Sequence, residues 1–271
     1  MPLRRTALLA AAVAVLFALA APAGAGAASW ATTSSNWAGY AVSKPGTRFG
    51  RASATWVAPA ASCGSGGRRY SAVWLGLGGL HTTSKALEQI GTEADCAGGK
   101  AYYSAWYELV PAAPVDVKLT VRPGDTISAS VTVSGHAVKL YIANRTRGTS
   151  FSKQLQADAV DVTSAEWIVE APSACVDNGA CRTLALADFD VTNFANVKAT
   201  SATGHAGTVT DPAWSAVAIT LSPRSGPGSM RFASEAGSGS ATPADLSPAG
   251  DAFTVTYQPA ADAAPAAPPA A

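Results

Sequence analysis

The chain carries three histidines, four cysteines and 18 acidic residues, and their spacing removes most familiar ways of breaking a bond. His81, His136 and His205 stand alone, with no His-Glu-x-x-His and no Cys-x-x-Cys, so neither a metal site nor a cofactor is expected. There is no Gly-x-Ser-x-Gly elbow, and isolated histidines serve a serine triad poorly. Asp-Thr-Gly and Asp-Ser-Gly loops are also missing, which argues against a conventional aspartic protease. Hydrolytic chemistry would then rest on carboxylates and amides. A carboxyl group can exchange protons with water and a departing amine, and does so best with a pKa near the working pH. A neutral amide can donate N–H to an oxygen that gains negative charge.

Such groups need strands to carry them. From about Ser35 to Tyr257 short alternating or β-branched runs are separated by Gly, Pro, Ser and Asn, with no long helical period. Strands are predicted over Asn36 to Val42, Ala52 to Val57, Tyr70 to Leu77, Leu87 to Gly91, Tyr102 to Leu109, Val115 to Val121 and Thr126 to Val133. Others are predicted over Val138 to Asn144, Ser152 to Gln156, Glu166 to Glu170, Leu184 to Asp188, Asn196 to Thr200, Ala216 to Leu221 and Phe253 to Tyr257. A lone sheet of this size would leave a large apolar face wet, so the expectation is all-β, one sandwich of two antiparallel sheets.

Period-two alternation then sorts side chains by face. Tyr102, Ser104, Trp106 and Glu108 share one face, opposite Tyr103, Ala105, Tyr107 and Leu109. Glu166, Ile168 and Glu170 oppose Trp167 and Val169, and Trp74, Gly76 and Gly78 oppose Val73, Leu75 and Leu77. Each strand thus has one apolar face for a core and one mixed face for a cleft. Gly76 and Gly78 are expected to let an extended substrate lie close to the sheet.

Arg4 and Arg5 precede an apolar run from Ala7 to Ala20 and small residues up to Ala27, the pattern of a secretory signal peptide over residues 1–27. Its removal leaves a formal charge of about −1. With Lys and Arg scattered, nucleic acid is not an expected partner, and neither is a membrane after cleavage. An even number of cysteines in an exported chain favours two disulfides. Three pairings exist; local spacing favours Cys63 with Cys96 and Cys175 with Cys181. Residues 28–257 are read as the domain, with a long Gly/Ser/Pro-rich surface loop over Arg224 to Gly250, and residues 258–271 as a disordered Ala/Pro tail. A secreted monomer is expected.

Five segments in order resemble the active-site strands of the glutamic peptidases, the eqolisins or peptidase family G1. They are Ser35-Asn36-Trp37-Ala38-Gly39, Ala72-Val73-Trp74-Leu75-Gly76-Leu77-Gly78-Gly79, Leu87-Glu88-Gln89-Ile90-Gly91, Ser104-Ala105-Trp106-Tyr107-Glu108 and Ala165-Glu166-Trp167-Ile168-Val169-Glu170. The resemblance implies a concanavalin-like jelly roll with a concave cleft, and an endopeptidase that works on polypeptides at acidic pH. It places the catalytic glutamine on Gln89 and the catalytic glutamate on Glu170, with Trp74, Trp106 and Glu108 lining the cleft. Glu166 reads as a surface or supporting acid. Two supporting positions depart from the family pattern: Ser104 stands where an acid is usual, and Gly78 where the Trp-x-Gly-x-Asp-Gly turn has aspartate.

Tryptophan and paired acids on a concave sandwich also suit sugars, and Glu108 with Glu170 could serve a glycosidase. A silent binding module of the same fold is a third reading. Gln89 discriminates, because only the peptidase depends on it.

Overall fold

The computed structural model describes residues 30–64, 67–175, 181–223, 233–234 and 239–260. The signal-peptide reading, the tail after residue 260 and much of the 224–250 loop lie outside the described residues.

The described strands are β1 Trp30–Ser34, β2 Trp37–Ser43, β3 Phe49–Val57, β4 Ala72–Leu77, β5 Leu87–Ala97, β6 Lys100–Val110, β7 Val115–Asp116, β8 Thr126–Ser134, β9 Ala137–Asn144 and β10 Thr149–Gln156. They continue with β11 Ser164–Glu170, β12 Ser173–Cys175, β13 Cys181–Thr183, β14 Val191–Ser201, β15 Ala206–Gly207, β16 Ser215–Leu221, β17 Ala233–Ser234, β18 Ser240–Pro243 and β19 Phe253–Gln258. A single ladder runs β10-β9-β8-β3-β14-β19-β18-β16-β2-β11-β4-β5-β6-β7, with β1 on β16 and β15 on β14. It folds back on itself, so that β3, β8 and β9 pack across the interior against β4, β5 and β11. The result is the expected β-sandwich. Pairing is antiparallel except for β1 with β16 and β13 with β17, which run parallel.

Alternation explains the layers. Val73, Leu75, Leu77, Ile90, Ala105, Tyr107, Ala165, Trp167 and Val169 enter the main core with Phe49, Trp56, Ile127, Leu140 and Phe194 from the facing half. Their neighbours Trp37, Trp74, Trp106, Ile168 and Leu87 form a second apolar cluster on the other face of the same sheet. Two buried indoles stitch the layers: Trp56 Nε1 donates to Thr92 Oγ1 at 3.0 Å, and Trp167 Nε1 to the Ser53 carbonyl at 3.0 Å. Buried polar groups satisfied in this way fix the stagger of β5 and β11 against β3.

Several sequence expectations shift. Leu184 to Asp188 is no strand; Leu186 and Asp188 make only isolated bridges, to Tyr70 and Ser62. Val115 to Val121 shortens to β7, since the chain turns directly after it, with the Leu119 N–H donating to the Val117 carbonyl at 2.8 Å. The 224–250 segment contains β18, paired with β19, which itself reaches Gln258. Cys63 and Cys96 are joined, as spacing favoured, and the backbone register sets Cys175 opposite Cys181. The Cys63–Cys96 bridge closes a sequence separation of 33, and restricting an unfolded loop of that length contributes about 3–4 kcal/mol. Paired Cys63→Ala and Cys96→Ala substitutions should lower the denaturant midpoint accordingly, measured by tryptophan fluorescence.

Candidate active site

Strand register builds the site row by row. Glu170 on β11 stands beside Ala72 on β4, which stands beside Glu93 on β5 and then Ser104 on β6. One step along the strands come Ile168, Trp74, Gly91 and Trp106, and the next row holds Glu166, Gly76, Gln89 and Glu108. Residues two apart share a face, so these rows all look the same way, onto a cleft of about 610 Å³. Gln89, Glu93, Trp106, Glu108 and Glu170 line it, with Asn36, Trp37 and Lys85 at its borders.

Glu170 is held at both oxygens. Asn36 Nδ2 donates to Oε1 at 3.0 Å and Trp74 Nε1 to Oε2 at 2.8 Å. Asn36 is itself fixed: Ser34 Oγ donates to its Oδ1 at 3.0 Å, and its carbonyl accepts the Ala171 N–H at 2.8 Å. Trp74 is fully buried and meets Trp37 edge-to-face at 5.0 Å. Burial pushes the Glu170 carboxyl up to about 8, with the Glu108 charge adding to the rise and the Trp74 and Asn36 hydrogen bonds opposing it. It therefore holds a proton through the acid and neutral range.

Gln89 is buried, and its Nε2 donates to Glu108 Oε2 at 2.6 Å. Glu108 and Glu93 are both raised, mainly by burial. Ser104 Oγ donates to Glu93 Oε2 at 3.0 Å, directly across the β5–β6 ladder. An acid at 104 would set two like charges opposite each other; the hydroxyl supplies a donor instead. Among the described residues no cluster of His, Cys, Asp and Glu is arranged to hold a metal ion.

The surroundings of Trp74, Gly76, Gly78 and Glu166 add to the sequence expectations. Trp74 lies beneath the cleft as a hydrogen-bond donor to Glu170 and does not border the open volume, whereas Trp106 does. A Cβ at Gly76 would come 2.8 Å from the Glu88 carbonyl and 3.2 Å from Gln89 Cβ, so the glycine lets β4 and β5 approach closely beside Gln89. Gly78, at φ +87°, lies against Asp161, where an added Cβ would meet the Asp161 carbonyl at 2.5 Å and its Cβ at 2.6 Å. Glu166, expected as a surface or supporting acid, is fully buried, in the row that also holds Gly76, Gln89 and Glu108.

Sequence reasoning gave no role to Asn36, Glu93, Lys85 or Asp161. Asn36 sits within a motif that was singled out; Asp161, remote along the chain, has no local signal. Asp161 anchors the 78–86 loop, accepting from Ser84 Oγ and the Gly79 N–H and, on its other oxygen, from Thr163 N–H at 2.9 Å. Burial alone would raise its pKa, but the bonds from Ser84, Thr163 and Gly79 hold it below the usual carboxylate value. Asp161→Ala should cost about 2 kcal/mol, the worth of charged hydrogen bonds, and open the loop to limited proteolysis, read by mass spectrometry of the fragments.

The fold and this cleft agree with comparisons to known proteins. Residues 35–222 match the sequence profile of the Peptidase A4 family. A search of curated protein sequences returns no match. Among solved structures, scytalido-glutamic peptidase with a peptide-based transition state analogue is similar at 27% identity and a TM-score of 0.62, over 83% of this chain and 98% of that one. SCP-B, described as a member of the eqolisin family of peptidases in complex with the tripeptide Ala-Ile-His, is similar at 25% identity and a TM-score of 0.59, again over 83% and 98%. Aspergilloglutamic peptidase from Aspergillus niger is similar at 27% identity and a TM-score of 0.51, over 70% of this chain and 99% of that one. A profile match over most of the chain, joined to a shared β-sandwich, shows that this protein belongs to the Peptidase A4 family and is a glutamic-type endopeptidase.

Proposed function

We propose that the protein is a secreted peptidase that hydrolyses polypeptides in acidic surroundings, with Glu170 as proton donor and acceptor and Gln89 as the amide that holds the water and the developing oxyanion. One observation carries the reading: a carboxyl group with both oxygens fixed, raised by burial to about 8 so that it keeps its proton below that pH, shares a cleft with a buried amide two strands away in the same sheet. The disulfide fits an oxidising, extracellular destination.

The chemistry follows from that proton. Glu170 gives it to the carbonyl oxygen of the peptide bond as water adds to carbon, and the carboxylate takes one proton from the added water. A neutral gem-diol results. Glu170 then protonates the amide nitrogen, the C–N bond breaks, and a diol hydroxyl returns its proton to the carboxylate, restoring the acid. A Gln89 N–H donates to the oxygen that gains charge, worth roughly 100-fold to 1000-fold.

This order fixes the sign of the pH dependence. The protonated form is the active one, so turnover is present below the Glu170 value of about 8 and lost as pH rises through it. The test is cleavage of denatured casein by the purified protein from pH 2 to 9. Activity that first appears above pH 8 would reverse the proposed order, and release of sugar without cleavage of casein would replace the peptidase reading altogether.

A further inference from the structure

Gln89 and Glu108 face each other directly across the β5–β6 ladder. The amide nitrogen donates to Glu108 at 2.6 Å, while the amide oxygen of the same side chain is buried with no hydrogen-bond partner. A carboxylate can only accept, so it must hold the amide by its nitrogen. A carboxylic acid also carries a donor, and can hold the amide by its oxygen. Turning the amide end for end against a protonated Glu108 would satisfy the buried oxygen and release the nitrogen, with its hydrogens, from the carboxyl group. A buried unpartnered acceptor is costly enough to favour that turn whenever the proton is present.

We propose that Glu108 is a positioning residue whose proton decides which end of the Gln89 amide faces the substrate, so that the cleft gains its full N–H donor set only when Glu108 is protonated. The inference rests on the reading of Gln89 as oxyanion donor. The surroundings support a proton there. Glu93 and Asp95 on β5, Asp116 on β7, and Glu166 and Glu170 on β11 are the acids that share its face, Glu166 in the same row, and Lys85 is the cation among the lining residues. Burial and the Glu93 charge both raise Glu108, against the opposing Gln89 bond.

The experiment compares the wild type with Glu108→Gln, whose side chain is neutral at every pH yet still offers both a donor and an acceptor. On the alkaline limb, log kcat/KM of the wild type should fall with a slope approaching about −2, one proton from Glu170 and one from Glu108, and that of Glu108→Gln with about −1. Two pH units above the midpoint the variant should thus retain about a hundredfold more of its own maximum. In parallel, the side-chain NH2 resonances of Gln89 should titrate on that limb in ¹⁵N spectra of the wild type and stay still in the variant. A role limited to packing would scale the profile down without changing its slope. Superimposable normalised profiles, or wild-type Gln89 resonances that do not move, would overturn the proposal. If Glu108→Gln does not fold, the wild-type resonances alone decide. Gln89→Ala separates the two levels: full turnover in it would remove the oxyanion role itself, whereas lost turnover beside an unchanged Glu108→Gln slope would remove only the switch.

Discussion

Glu170→Gln is expected to lower peptide hydrolysis by about 10⁴-fold while the protein stays folded. General acid–base catalysis by one positioned group contributes roughly 10²-fold to 10⁴-fold, and Glu170 handles every proton in both steps of the proposed reaction, which argues for the upper end. The amide has the shape of the acid but cannot give up and recover a proton. It keeps one oxygen for either Asn36 or Trp74 and loses one hydrogen bond, so stability should change by no more than about 2 kcal/mol. Gln89→Ala sharpens the result. It should cost roughly 100-fold to 1000-fold in kcat, where a glycosidase built on Glu108 and Glu170 would keep most of its rate. Single-turnover cleavage of a fluorogenic peptide by the three proteins, with melting curves beside it, reads both effects. A Glu170→Gln variant within tenfold of the wild type would sink the assignment.

What was legible in the sequence was what alternation encodes. Val73, Leu75 and Leu77 turn inward while Trp74 turns outward, and the same parity on β6 and β11 put Trp106, Glu108, Ile168 and Glu170 on one face. Parity says which face a side chain takes, not what lies above it. Glu166 obeys the pattern and is nonetheless fully buried. Gly78 is the same lesson from the other side. Its missing side chain reads locally as a lost acid, yet the space is taken by Asp161, which arrives 83 positions later and supplies a carboxylate to the same turn. Leu184 to Asp188 has strand-like composition, but its ladder pairing is limited to isolated bridges, Leu186 with Tyr70 and Asp188 with Ser62. Contacts that are long-range in sequence decide each of these cases.

The buried acids that the chemistry does not use dictate how stability should vary with pH. Glu88 and Glu166 are 1% and 0% exposed, and their carboxyl oxygens have at most weak partners: Ser164 for Glu166, and the Asp161 and Glu88 backbone for Glu88. Burial raises Glu88 from 4.5 to about 8, and raises Glu166 well above 4.5, with the Asp161 and Glu88 charges adding to it. A group whose folded pKa lies above its unfolded value binds its proton more tightly in the folded state. Its contribution is complete below about 4.5 and is lost as pH rises through the folded value. Asp95, raised to about 7 chiefly by burial, acts in the same sense. Asp125 acts oppositely: despite burial, its bonds from Arg147 and Asn144 hold it below 3.8, so its contribution is lost as pH falls through that depressed value. Asp161 does likewise. The folded state should therefore be most stable near pH 4 and lose on the order of a few kcal/mol by pH 8, a fall in melting temperature on the order of 10 °C. Replacing Glu88 and Glu166 together by glutamine removes two of the strongly raised carboxyl groups, leaving Glu170, and should make the curve shallower between pH 5 and 8. Calorimetric scans of both proteins at pH 4, 6 and 8 give the answer, and a wild type that melts as high at pH 8 as at pH 4 would show that these carboxyl groups ionise without penalty. If Glu170 works as proposed, the burial that raises its carboxyl and the burial that raises Glu88 and Glu166 act in one direction, so catalysis and stability should decline together as the pH rises.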